Sequence, residues 1–328
     1  MVEVILFNKD LKEQFINSQY KNAGSKEVIK DILRKAYTSE LILKKDLYDF
    51  TLDEIGEVIR AADPFNVSMS YSYARHIYRY IRYAKENGYG QSNINPLEVV
   101  PDSWYEQWVD NKKNLFTKNE IEDLVENLKN KQDKAMVALF FEGAFGKQFS
   151  ELRNLKVSDI DEINFKLKLT DDKDHKSREL NISEWCMNLV LQAAKSTSYT
   201  TFYLQTPDTV PLVDNEYVFR QTRGGRSSEY EGMGMNQLYQ RIRSIRDNFN
   251  LPYFRAKGVQ QSGMNYMGFK LYQRDGELGS KQFVEISNHF NVGYYVPNGK
   301  YRYLNTFDFK KYVNKDEINK LYGTSIND

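Results

Sequence analysis

The sequence predicts a mainly α-helical protein with a small antiparallel β-sheet, an α+β fold arranged as two domains. Three observations carry that expectation. The 328 residues exceed one ordinary domain. Two helix starts are written as capping boxes, "TLDE" from Thr51 to Glu54 and "TKNE" from Thr117 to Glu120. In each, a threonine hydroxyl can accept from a free helical N–H while the glutamate reaches back to the threonine amide. The period then changes in "INFKLKLT", where Ile163, Phe165, Leu167 and Leu169 alternate with polar residues as in a strand.

Taken in order, Ile55, Val58 and Ile59 follow the first box at helical spacing. In "SYSYARHIYRYIRYAKENG" the residues Tyr73, Ile77, Tyr80 and Ala84 share a face that can bury. "GYGQSNINPLEVVPDSW", residues 88 to 104, has glycines, two prolines and no helical period, so it reads as a linker. This places a helical domain at residues 1–115, with its linker over about 88–115, and a second domain at 116–328. The second begins with Ile121, Leu124, Val125 and Leu128 on one helix face. The strand-like run, the polar turn "DDKDHKS" and "ELNIS" with Leu180 and Ile182 make a hairpin. Helices resume at Ser183, with Trp185, Leu189 and Val190 facing inward.

Composition excludes several classes. The single cysteine, Cys186, can form neither an internal disulfide nor a thiolate-rich zinc site. Three scattered histidines (His76, His175, His289) argue against a metal centre, and no cofactor motif is present. The start "MVEVILFNKDLKEQF" lacks a basic n-region, and the longest apolar run, "AMVALFF", is far too short to span a bilayer. A cytoplasmic protein with no membrane partner is expected.

The net charge of +1 hides local basic surfaces. Arg75, Arg79 and Arg82 recur at i, i+4 and i+7 on one helix face, where like charges repel unless a partner answers them. Arg220, Arg223 and Arg226 surround a Gly-Gly turn, and the helix after it carries Leu238, Ile242, Ile245 and Phe249 on one face, with Arg241, Arg243 and Arg246 off it. From Tyr217 to Lys257, Lys and Arg outnumber Asp and Glu eight to three. One basic patch per domain suggests a clamp on duplex DNA, with phosphate contacts from these arginines and from Lys173, Arg178 and Lys257.

The stretch "LFFEGAFGKQFSELRNLKVSDID" resembles the tyrosine recombinases and phage integrases, whose pattern Gly-x-Arg-x-Ser-Glu-Leu is followed by Leu-x-x-x-Asp-Ile. Ser150, Glu151, Leu152, Leu155, Asp159 and Ile160 match it. The hairpin, the arginine-rich turn and the helical N-terminal core-binding domain follow the family order over about residues 40 to 310. The resemblance implies that a tyrosine attacks a phosphate held by two arginines, aided by a hairpin lysine and two histidines or their substitutes. Carried onto this chain, the first arginine position is Gln148 and the hairpin lysine is Lys173. "KGVQQSG" aligns with His-x-Leu-Arg-x-Ser-Gly, which places Lys257 and Gln260. The later histidine is His289, and the nucleophile position is Tyr301 or Tyr303. Arg153 is expected to point away from Gln148, on the same helix.

Both clamp arginines are thus replaced by glutamine. A neutral amide can still hold a phosphate, but charge-assisted bonds are roughly twice as strong. Removing one preorganised donor costs about 3–4 kcal/mol of barrier. No catalytic residue is therefore expected, and the chain is similar to the integrase-like master repressors of SPbeta-type temperate phages. The partners this implies are operator sites on double-stranded DNA, a second copy of the chain on that DNA, and a protein antirepressor. A working recombinase with divergent clamp residues is the alternative. The C-terminal "KDEINKLYGTSIND" has helical spacing in Ile318, Leu321 and Tyr322 and either packs on its own domain or docks on a neighbour.

Overall fold

The structure, a computed structural model, describes residues 6–64, 66–109, 115–173, 176–201, 208–223, 232–295 and 303–324. The chain divides into two units, Met1–Lys112 and Lys113–Asp328, each with its own apolar core. Among the described residues no helix is long and apolar enough to cross a membrane.

The first unit contains α1 (Lys9–Gln19), α2 (Ala23–Lys35), α3 (Tyr37–Leu43), α4 (Leu52–Ala61), α5 (Val67–Glu86) and α6 (Asp102–Glu106). The capping box at α4 is complete: Thr51 Oγ1 accepts from Glu54 N, and Glu54 Oε2 accepts from Thr51 N. Asn66 starts α5 by accepting from Met69 N. Ala74, Ile77, Tyr80, Ile81 and Ala84 of α5 then bury against Phe15, Leu33, Ile55 and Ile59. The stretch read as a linker is not slack. Asn95 Nδ2 donates to Tyr78 O at 3.0 Å, and Leu97, Trp104 and Trp108 join this core. Its Pro and Gly content reflects tight turns that bring three large apolar side chains home.

A charged cluster sits inside the same core. Lys12 Nζ donates to both Glu40 oxygens at 2.5 and 2.6 Å, and both side chains are fully buried. Leu47 N also donates to Glu40 Oε1, and Tyr80 OH donates to Asp46 Oδ1 at 2.8 Å.

The second unit opens with α7 (Lys118–Asn127), again with a complete capping box on Thr117 and Glu120, and α8 (Lys131–Glu142). Every residue from Ala135 to Phe141 is buried, so α8 is the central helix, packed by α7 and by α10 (Glu184–Ala194) and α12 (Ala256–Asp275). Between them lie the short α9 (Ser150–Arg153) and a sheet of β1 (Ile160–Asp161), β2 (Lys166–Thr170) and β3 (Ser177–Asn181) in that order, antiparallel. Leu167 pairs with Leu180, and both are buried with Leu169. The expectation for Ile163 and Phe165 is corrected: both are exposed, and Phe165 is left-handed at φ 52. They belong to the turn joining β1 to β2, where Asn164 N donates to Asp161 Oδ1.

The unit continues with β4 (Ser198–Thr201) paired to β5 (Asp208–Pro211), α11 (Met235–Asn248), α13 (Ser280–Phe290), β6 (Tyr294–Tyr295) paired to β7 (Tyr303–Leu304), α14 (Phe307–Lys310) and α15 (Lys315–Tyr322). The last helix docks on its own domain. Ile318 is fully buried, and the Tyr322 ring stacks on Phe269 of α12 at 4.6 Å.

Helix α12 can reach α8 because residue 263 has no side chain: a Cβ on Gly263 would lie 1.8 Å from Phe141 O. Gly263→Ala is expected to push these helices apart and cost about 1–3 kcal/mol in chemical denaturation. An unchanged midpoint would show that the pair can slide without loss.

Candidate functional site

The C-terminal end of α8 gathers the positions that the sequence comparison singled out. Gly263 of α12 abuts Phe141, His289 of α13 bonds Glu142 O, and the loop bearing Gln148 begins at Gly143. In that loop Gln148 (φ 54) and Phe149 (φ 63) are both left-handed, at about 1–2 kcal/mol each for side chains with a Cβ. Burial of Phe149 offsets much of this, since its ring meets Phe140, Phe145 and Tyr239 at 5.3, 5.2 and 4.9 Å. Gly146 allows the turn, because a Cβ there would sit 2.5 Å from Ser150 Oγ.

Asp171 fastens the hairpin to this loop. Its Oδ1 accepts from Lys147 N at 2.8 Å, Ser150 Oγ at 2.7 Å and Lys173 N at 3.1 Å. Burial alone would raise its pKa, but these donors outweigh it and hold the carboxyl below its usual range. Gln148, Lys147 and Lys173 are all exposed. Lys147 went unremarked in the sequence reading, although it directly precedes Gln148.

On α12, Lys257 Nζ donates to Gln260 Oε1 at 2.7 Å and lies 5.3 Å from the centre of the Phe145 ring. Gln260 is buried. Lys257 keeps an exposed edge, yet enough protein surrounds it for desolvation to hold its ammonium below the ordinary lysine range. His289 Nε2 is 2.8 Å from Glu142 O. A carbonyl only accepts, so the proton sits on Nε2 and that N–H is spent on the backbone. Desolvation lowers the pKa of His289, assisted by Arg178, although the bond to Glu142 O opposes it.

The guanidinium groups that lie here are committed elsewhere. Arg178 donates to Glu151 through Nε at 2.6 Å and Nη2 at 2.8 Å, and also to His289 O and Gly143 O. Its assignment as a DNA contact is corrected: it is an internal brace. Strand parity carried the signal, because Arg178 shares the inward face of β3 with Leu180. The expectation for Arg153 is corrected too. Gln148 lies outside the helix, and Arg153 Nε donates to its carbonyl at 3.0 Å while Nη2 pairs with Asp172 at 2.5 Å.

Two more predicted contacts turn inward. Arg241 is buried, 4.0 Å from the centre of the Tyr199 ring, with Nη1 bonded to Gln132 and paired with Asp133. It falls between Leu238 and Ile245 on the apolar face of α11, a spacing legible in the sequence. Arg220 is buried and donates to Ala194 O and Ser196 O. By contrast Arg75, Arg82, Arg223 and Arg243 are exposed and Arg79 is half-buried. Arg226 and Tyr301 lie outside the described residues, and of Tyr303 only the backbone, in β7, is described.

The second unit therefore presents exposed ammonium groups beside the amides of Gln148 and Gln260, and holds Arg153 and Arg178 on carboxylates. A model of the MrpR C-terminal catalytic domain matches residues 115–323, and one of the MrpR N-terminal core-binding domain matches residues 6–86. The chain belongs to the MrpR family. A core-binding domain followed by a catalytic domain is the tyrosine-recombinase architecture expected from the sequence. The chain is similar to the SPbeta prophage-derived uncharacterized protein YopR of Bacillus subtilis (strain 168), with 26% identity covering 98% of each chain. Among solved structures it is similar to the XerA recombinase, at 12% identity and TM-score 0.43 over 96% of this chain and 97% of that one. It is also similar to a lambda integrase dimer bound to a COC' core site, at 11% identity and TM-score 0.48 over 94% of this chain and 96% of that one.

Proposed function

We propose that the chain is a sequence-specific double-stranded DNA-binding repressor of a temperate phage, acting in the cytoplasm to maintain lysogeny and using a recombinase fold to hold DNA without cutting it. The observation that carries this reading is the pair Gln148 and Gln260, the second buried and bonded to Lys257, in place of two charged clamp donors. Each missing donor is worth a hundredfold or more in rate, although effects within one site do not simply add. Binding needs less: Arg75, Arg79 and Arg82 on α5, with Lys147, Lys173, Lys257, Arg223 and Arg243 in the second unit, supply phosphate contacts. Similarity to an SPbeta prophage protein supports the phage setting.

A gel-shift series on fragments of the phage genome tests the reading. One fragment should be retarded at low protein concentration, with affinity falling steeply as salt rises. Arg75, Arg79 and Arg82 changed together to alanine should weaken binding at least a hundredfold and flatten the log–log salt slope by about three. Salt-independent retention, or none on any fragment, would defeat it. One observation favours an active recombinase instead: Arg153 lies against Gln148, close to the vacated clamp position. That reading predicts a covalent adduct on a nicked suicide substrate, lost in Tyr301→Phe or Tyr303→Phe.

A further inference from the structure

The first unit contains a recess of about 480 Å³ that takes one residue, Arg75, from the α5 arginines named above. One wall is a single face of α5, with Tyr71, Ala74, Arg75 and Tyr78 at i, i+3, i+4 and i+7. The other is the segment carrying Leu97, Glu98, Val100, Asp102 and Tyr105. Ala74 leaves the room. The opposite wall is pinned by the bond from Asn95 to Tyr78 O and by the Tyr78 hydroxyl donating to Glu98 Oε2 at 3.2 Å. The Tyr71 and Tyr105 rings meet edge to face at 5.1 Å. The volume lies in the range of roughly 300–1,000 Å³ common to small-molecule sites, and the mix of aromatic walls with a few polar groups is typical of them.

The charges select the ligand. Arg75 and Asp102 line the same recess, yet neither has an ion-pair partner among the described residues. Each is left to be answered by an opposite charge from outside. One guanidinium against two carboxylates disfavours a phosphate or any other net anion. A ligand with a carboxylate for Arg75, an ammonium for Asp102 and Glu98, and a ring for the tyrosine walls satisfies every group.

We propose that this recess binds a small zwitterion carrying an aromatic ring, in the class of an aromatic dipeptide with free termini. Arg75 is shared with the proposed phosphate contacts, so occupancy is measured with no DNA present, where failure of the DNA reading does not enter.

Isothermal titration of the full chain with glycyl-tyrosine, its N-acetyl derivative and its C-terminal amide tests the proposal. The free dipeptide should bind at one site. Blocking either terminus should weaken binding tenfold or more. Arg75→Ala should erase the difference between acid and amide, and Asp102→Asn the difference between free and acetylated amine. Both side chains are exposed, so both variants should keep the far-ultraviolet dichroism of the parent. Absence of heat with all three compounds at millimolar concentration would overturn the proposal. So would binding that ignores both blocked termini, or folded variants that discriminate as the parent does.

Discussion

Replacing Lys12 with methionine should destabilise the first unit by about 3–5 kcal/mol, because it strands a fully buried carboxylate. Among the described residues Glu40 would retain only the Leu47 amide as a donor, with Asp46 raising its energy further. Urea denaturation followed by the fluorescence of Trp104 and Trp108, both in this core, reads the change. Changing Glu40 to methionine as well should recover most of the loss, since a buried pair exchanged for apolar groups of similar volume is often neutral or better. A single variant within 1 kcal/mol of the parent would show that the pair does not hold this core.

The same cluster fixes a pH dependence. Burial raises the Glu40 carboxyl to about 7, with Lys12 pulling the other way, against an ordinary value of 4.5. Between those values the folded protein keeps a proton that the unfolded chain has released. The stability this group contributes is therefore full below about pH 4.5 and is lost as pH rises through 7. Without Lys12 the carboxyl is harder still to ionise, so the deficit of Lys12→Met should be greatest at pH 8 and shrink towards pH 5.

Arg178→Met should cost the second unit a similar amount, about 3–5 kcal/mol. Glu151 is 1% exposed and would lose its bidentate partner, while His289 O and Gly143 O would lose a shared donor. Lysine should rescue poorly, as one ammonium cannot span the four bonds that the guanidinium makes. Thermal unfolding followed at Trp185 measures the loss. The salt slope of DNA binding should not change in Arg178→Lys, which separates a brace from a phosphate contact. A changed slope at unchanged stability would return Arg178 to the interface.

Local signals in the sequence were sufficient for much of this. The capping boxes at Thr51 and Thr117 formed as written, because each bond spans three residues. The apolar faces of α5 and α11 were legible for the same reason. The errors cluster where polar residues sit at apolar spacing. Arg178 and Arg241 were read by charge, although strand parity and helical spacing both pointed them inward. Residues 88–104 were read by their prolines and glycines, although Leu97 and Trp104, with Trp108 just beyond, needed a core.

By itself the sequence determined the helical character, the small sheet and the recombinase order of parts. These rest on periodicity, caps and residue identity, all carried within a few neighbours along the chain. Tertiary structure alone decided which carboxylates the arginines are spent on, Glu151, Asp133 and Asp172, and that the His289 N–H is taken by Glu142 O. A charge is free or committed according to what lies within about 3 Å of it. Its partner stands 27 residues away for Arg178 and 108 for Arg241, distances that only folding closes.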